Sequence, residues 1–129
     1  MVYRRCGKGF EYLLLHRAHS GPDYAGDWAW TPPAGARQPG ESILECAERE
    51  LREEIGVSLP LLATEFGTNE WRVYAAEMAG ETRVELDREH DRFEWVSIHS
   101  VSRCKPDFVA ASVYSVGEML DAYRKQQRS

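Results

Sequence analysis

The chain opens on two runs of clustered apolar residues around a glycine-rich turn: MVYRR, then GKG, then EYLLLHR. That pattern predicts a β-hairpin with Leu13, Leu14 and Leu15 buried. The stretch from Ala18 to Gly40 is rich in Gly, Pro, Asp and aromatic residues and reads as loop, of a length that is usually functional. A short strand is expected within it at Trp30 and Thr31. A helix follows from Ser42 to Ile55. Ser42 caps it, Glu45 three positions on completes a capping box, and Gly56 ends it. TEFGTNEWRVYAAEMAG then predicts two strand runs, the stronger being RVYAAEM, and TRVEL and RFEWVSI predict two more across the polar loop DREHD. HSVSRCKPDF reads as a turn or short helix. A last amphipathic helix is expected from about Asp107 to Arg124. Strands, helix, strands, helix in that order predict one mixed α/β or α+β domain over residues 1–129, not a regular βαβ repeat.

At 100° per residue the helix sorts into three arcs. Ile43, Leu44, Ala47, Leu51 and Ile55 form the arc expected to face the core. Glu45, Glu48 and Arg52 lie opposite, facing water. Glu50, Glu53 and Glu54 fall on a third arc bordering the apolar one. Like charges at i, i+3 and i, i+4 cost about 0.2–0.5 kcal/mol per pair in water, and more beside a core edge where the dielectric falls. The negative end of the helix dipole opposes them as well. A divalent cation removes both penalties, because Mg²⁺ or Mn²⁺ takes hard carboxylate oxygens. The alternative is a solvated acidic face.

Composition narrows the field. Hydrophobic residues make up 43% and charged residues 29%, a globular balance. A net charge of −5 argues against a general nucleic-acid binder but not against a small anionic ligand, since a bound cation reverses the local sign. Cys6, Cys46 and Cys104 are far apart and without metal-ligand spacing, so they read as reduced thiols. His16, His19, His90 and His99 form no zinc pattern. No stretch has the apolar core of a signal peptide or the 18 or so apolar residues of a membrane span, so a cytoplasmic protein is expected.

The spacing from Gly35 to Val57 adds a sharper signal. Gly35, five residues, Glu41, seven residues, Arg49-Glu50-Leu51, one residue, Glu53-Glu54, one residue, Gly56-Val57 resembles the complete signature of the Nudix hydrolases. The resemblance implies a mixed β-sheet sandwiched between helices. It also implies Mg²⁺- or Mn²⁺-dependent hydrolysis of a nucleoside diphosphate linked to another group, by attack of water on a pyrophosphate phosphorus. Glu50, Glu53 and Glu54 match the family's metal-binding glutamates, and one of them, often Glu53, takes the water's proton instead. Arg49 and Glu41 match an ion pair that ties the preceding loop to the helix; a surface pair of Arg49 with Glu45 is the competing reading. Gly35 lets the backbone pass close to the metal, with the Ala34 carbonyl as a further ligand. A later carboxylate often joins, here Glu89 in preference to Glu94. His90 is assigned no role.

The signature gives the reaction and not the substrate. WTPPAGARQPGE and VELDREHDRFEW partly resemble the asymmetric diadenosine tetraphosphate hydrolases, which usually carry Lys where this chain has Ala34 and His where it has Ala36. A dinucleoside polyphosphate is therefore one expected substrate. A nucleoside triphosphate pyrophosphohydrolase and a non-catalytic nucleotide-binding domain are the alternatives. Tyr24 and Trp28 are candidate base-stacking residues, each equally suited to packing. Arg17 and Arg37 are candidate phosphate clamps. The expected partner is a small-molecule nucleotide, with neither membrane nor nucleic acid.

Overall fold

The computed structural model describes residues 1–7, 9–18, 21, 29–33, 37–67, 72–79, 82–100, 117, 118 and 120–122. The expected hairpin is present. β1 (Val2–Cys6) and β2 (Gly9–Arg17) pair antiparallel, from Tyr3 opposite Tyr12 to Cys6 opposite Gly9. The short β3 (Trp30–Thr31) follows, then α1 (Ile43–Ile55), β4 (Leu62–Gly67), β5 (Arg72–Glu77) and β6 (His90–Ser97).

β2 is the spine of the sheet. β3 pairs with its end at Leu15 and His16, and β6 runs antiparallel beside it from Glu11 opposite Ser97 to Arg17 opposite His90. β1 pairs parallel with β5, and β5 antiparallel with β4, so the sheet is mixed. A strand with neighbours on both edges and layers on both faces should be apolar throughout its centre. Tyr12, Leu13, Leu14, Leu15 and His16 are all fully buried.

Side chains alternate across a strand, and the two cores follow that alternation. Leu13 and Leu15 pack with Val2, Ala76, Met78 and the α1 residues Leu51 and Ile55. Tyr12 and Leu14 pack on the opposite face with Tyr3, Ala75, Val96 and Leu120. Leu120 lies among helical residues 117, 118 and 120–122, so helix covers both faces of the sheet. Residues 107–116, 119, 123 and 124 of the expected last helix lie outside the described residues.

Two expectations need correction. Leu44, on the arc expected to face the core, is 43% exposed. Among the described residues, α1 enters the core against the sheet through Leu51 and Ile55 in its C-terminal half, so axial position decides burial in the first turn. The sequence predicts a strand at TRVEL, but residues 82–87 pair with no strand of the sheet. Their backbone bonds the helix end instead, with the Glu85 amide donating to the Ile55 carbonyl (2.9 Å), while Val84 and Leu86 pack on the α1-side core. Among the described residues, no helix is long and apolar enough to cross a membrane.

α1 begins and ends as its sequence dictates. The Glu45 amide donates to the Ser42 hydroxyl and the Ser42 amide to the Glu45 carboxylate, both at 3.1 Å. Gly56 adopts φ 73°, and a Cβ there would meet the Glu85 Cβ at 3.0 Å. Gly56→Ala is therefore expected to cost about 1–2 kcal/mol from the left-handed backbone, plus the displacement of Glu85. Denaturant unfolding checks this, and an unchanged midpoint would contradict it.

Candidate active site

α1 delivers its carboxylates to three environments. Glu53 points outward, its side chain 55% exposed. Glu50 is largely covered and Glu54 is only 3% exposed, at the edge of the apolar contact with the sheet. The arc bordering the core in the sequence is therefore graded in depth by one helical turn.

Arg49 holds the arrangement together. Its guanidinium grips Glu41 in a fork, Nε to Oε2 at 2.7 Å and Nη2 to Oε1 at 3.0 Å. Its Nη1 reaches Glu50 Oε1 at 2.8 Å and Glu53 Oε2 at 3.0 Å. The expected Arg49–Glu41 tie is thus present, and Arg49 also bridges two of the three clustered glutamates. Glu41 in turn receives the Gln38 amide at 3.1 Å, which fixes the turn before the helix. Bidentate guanidinium–carboxylate contacts are both stronger and more directional than single ones.

The electrostatics follow from these contacts. The Arg49 hydrogen bond, then the Gln38 amide, pull the Glu41 carboxyl from 4.5 down to about 2. A group depressed on folding stabilises fully above its unfolded value and loses that stabilisation as pH falls through the folded value. The window here runs from 4.5 down to about 2. Glu41→Gln is expected to narrow the stability gap to the parent as pH falls through that window. Urea titrations at neutral pH and at about pH 2 check it; a gap of equal size at both would contradict it. Glu50 moves the other way. Burial raises its pKa, outweighing Arg49, and the charges of Glu53 and Glu89 raise it further. Glu89 therefore acts on the same carboxylate cluster as the helix, from the turn before β6.

That turn is tied in place. The Ala18 amide donates to the Glu89 carbonyl at 2.9 Å, and a register shift between His16 and Arg17 brings Arg17 opposite His90. His90, assigned no role from the sequence, has its ring beside Glu54, with Nε2 3.7 Å from Oε1 and Nδ1 2.8 Å from Asp87 Oδ1. No local pattern marks this contact, because Glu54 and His90 meet only through the packing of α1 against the sheet. A second buried histidine, His16, pairs with Asp91 at 2.8 Å and abuts the Trp30 ring on the other face of the sheet. Glu94, the competing carboxylate, sits opposite Leu14 and so faces away from α1.

Of the other candidates, Arg17 lies at the exposed end of β2 and Arg37 is exposed ahead of Glu41. Ala34, Tyr24 and Trp28 fall outside the described residues. A cavity of about 350 Å³ opens on the α1 face of the sheet, lined by Arg4, Val84, Phe93 and Trp95 among others. The Arg4 guanidinium lies 4.3 Å over the Trp95 ring, and Phe93 is 41% exposed. Phe93 is three residues along β6 from His90, roughly 10 Å at about 3.3 Å per residue.

Among the described residues, no group of three or more His, Cys, Asp or Glu side chains is placed to hold a metal ion as it stands. The donor chemistry nevertheless suits a hard divalent cation. Glu50, Glu53 and Glu54 offer only carboxylate oxygens, the hard donors that such a cation takes.

Residues 1–116 match the NUDIX domain family. The chain is 32% identical over 101 residues to the asymmetrical bis(5′-nucleosyl)-tetraphosphatase of Sus scrofa, covering 68% of this chain and 65% of that protein. It is 26% identical over 118 residues to the NAD-capped RNA hydrolase NudC of Deinococcus radiodurans, covering 86% of this chain and 40% of that protein. The chain thus spans about 65% of the pig relative's length. In structure it resembles a Caenorhabditis elegans Ap4A hydrolase from a binary complex, with a TM-score of 0.73 and 21% identity, covering 94% of this chain and 93% of that one.

Proposed function

This chain belongs to the Nudix family, and from that premise we propose that it is a cytoplasmic, Mg²⁺- or Mn²⁺-dependent hydrolase of a pyrophosphate linkage in a nucleoside diphosphate joined to another group. The observation that carries this reading is the graded carboxylate cluster of Glu50, Glu53 and Glu54, fastened by Arg49 to Glu41 and joined by the charge of Glu89. A surface acidic patch would not require a bidentate anchor, nor would it bury Glu54.

In this reading Glu50 and Glu54 would hold the cation, with Glu89 and the Ala34 carbonyl as further ligands, and Glu53 stands beside it as the base. When bound, the ion neutralises pyrophosphate charge and acidifies a nearby water. Glu53 is the most exposed of the three helix carboxylates and takes the water's proton. Arg49 and Glu41 keep the helix and its preceding loop in register. Phosphoryl transfer depends mainly on such positioning and on charge neutralisation. Arg17 and Arg37 clamp the outlying phosphates, while Tyr24 and Trp28 offer ring faces for a base.

For the substrate we favour a dinucleoside polyphosphate. The similarity to the pig tetraphosphatase supports it, as does the Trp30-Thr31-Pro32-Pro33 segment. A cavity of about 350 Å³ lies in the range of small-ligand sites. The test is product analysis after incubation with Mg²⁺ and a panel of nucleoside triphosphates and dinucleoside polyphosphates. A mononucleotide plus a nucleoside triphosphate from the dinucleoside tetraphosphate is expected. A mononucleotide plus pyrophosphate, from triphosphates alone, would move the assignment to a triphosphate pyrophosphohydrolase. Binding with no turnover of any panel member would refute the enzymatic reading.

A further inference from the structure

We infer that His90, held by Asp87, is a positioning residue that fixes the orientation of the buried Glu54 carboxylate. The inference rests on the metal-binding reading of Glu54 above.

The ring is constrained from both sides. Its Nδ1 sits 2.8 Å from Asp87 Oδ1, which fixes the ring plane and turns Nε2 toward Glu54 Oε1 at 3.7 Å. That second distance is too long for a hydrogen bond, so the ring acts by packing against the carboxylate. Asp87 is itself tied to the residue whose side chain its histidine faces, because its amide donates to the Glu54 carbonyl at 3.4 Å. One residue before Asp87's neighbour Leu86, the Glu85 amide bonds the Ile55 carbonyl at 2.9 Å. On the far side, the Ala18 amide holds the Glu89 carbonyl at 2.9 Å, and the register shift in β2 sets Arg17 opposite His90. The 85–90 segment is therefore pinned to both α1 and β2, with the imidazole filling the space between them.

Glu50 and Glu53 both engage Arg49, while Glu54 lies deeper at the helix–sheet junction with the His90 ring against it. A carboxylate with three rotatable bonds retains a donor orientation only where neighbours restrict it. Supporting groups of this kind typically contribute 10–100-fold to metal affinity.

The test measures Mn²⁺ binding to nucleotide-free protein by electron paramagnetic resonance, with thermal unfolding of the metal-free protein alongside. His90→Ala is expected to weaken Mn²⁺ binding roughly 10–100-fold. His90→Gln, whose amide nitrogen reaches toward the Nε2 position, is expected to recover most of it. Asp87→Asn gives a smaller loss and serves as the reporter should His90→Ala fail to fold. In the Glu54→Gln background, His90→Ala is expected to cause no further weakening. Full additivity of the two substitutions, or wild-type Mn²⁺ affinity in both His90→Ala and Asp87→Asn, would overturn the inference alone. Absence of Mn²⁺ binding to the parent protein would overturn it together with the metal-binding reading.

Discussion

Glu53→Gln is expected to lower kcat by roughly 10²–10⁴-fold, the range associated with a positioned general base, while leaving the fold intact. The two halves of this expectation have separate structural grounds. Glu53 is half exposed, and its side chain meets the protein through the Nη1 of Arg49 at 3.0 Å. The amide of Gln can keep that acceptor, and an exposed i, i+4 pair contributes only about 0.3–0.5 kcal/mol. Stability should therefore barely change. What the substitution removes is a negative charge able to take a proton and to offset a cation. Steady-state kinetics at saturating metal, together with a denaturant melt, checks both halves. Turnover within a few-fold of the parent would remove Glu53 from its role, whatever the melt showed.

Leu13→Ala addresses the scaffold and should have the largest effect on stability. Leu13 is fully buried on the central strand and packs in the cluster that includes Leu51 and Ile55 of α1. Truncating a buried leucine typically costs about 2–5 kcal/mol, the spread depending on how far neighbours collapse into the cavity. Collapse should be limited here, since β2 is hydrogen-bonded to β1 and β3 along one edge and to β6 along the other. The urea midpoint is expected to fall with the slope unchanged. A loss below about 1 kcal/mol would mean that α1 is not seated on β2 as described. Because the same seat supports Glu54, residual activity in the folded variant should fall too.

The parts of the structure legible in the sequence are those coded by short-range chemistry. The capping box at Ser42 and Glu45, the stop at Gly56 and the hairpin around Gly7 each depend on a few adjacent residues, and each is present. The Arg49–Glu41 tie was legible through the spacing of a family signature. Leu44 failed because an apolar arc specifies direction around a helix but not how far along its axis the sheet extends. TRVEL is misleading because its alternation suits any segment with one covered face. It packs Val84 and Leu86 inward while its backbone bonds the end of α1 and not a strand. His90 was illegible for another reason: it meets Glu54 only when β6 and α1 are docked on β2. The same holds for His16, where a polar residue at the end of an apolar run gave no sign of its Asp91 partner.

The most direct measurement of the central claim is a calorimetric titration with Mn²⁺ of the parent protein and of the variant carrying Glu50→Gln, Glu53→Gln and Glu54→Gln together. Saturable uptake by the parent, abolished in the folded triple variant, is the predicted result. Equal uptake by both, or none by the parent with nucleotide present, would contradict it.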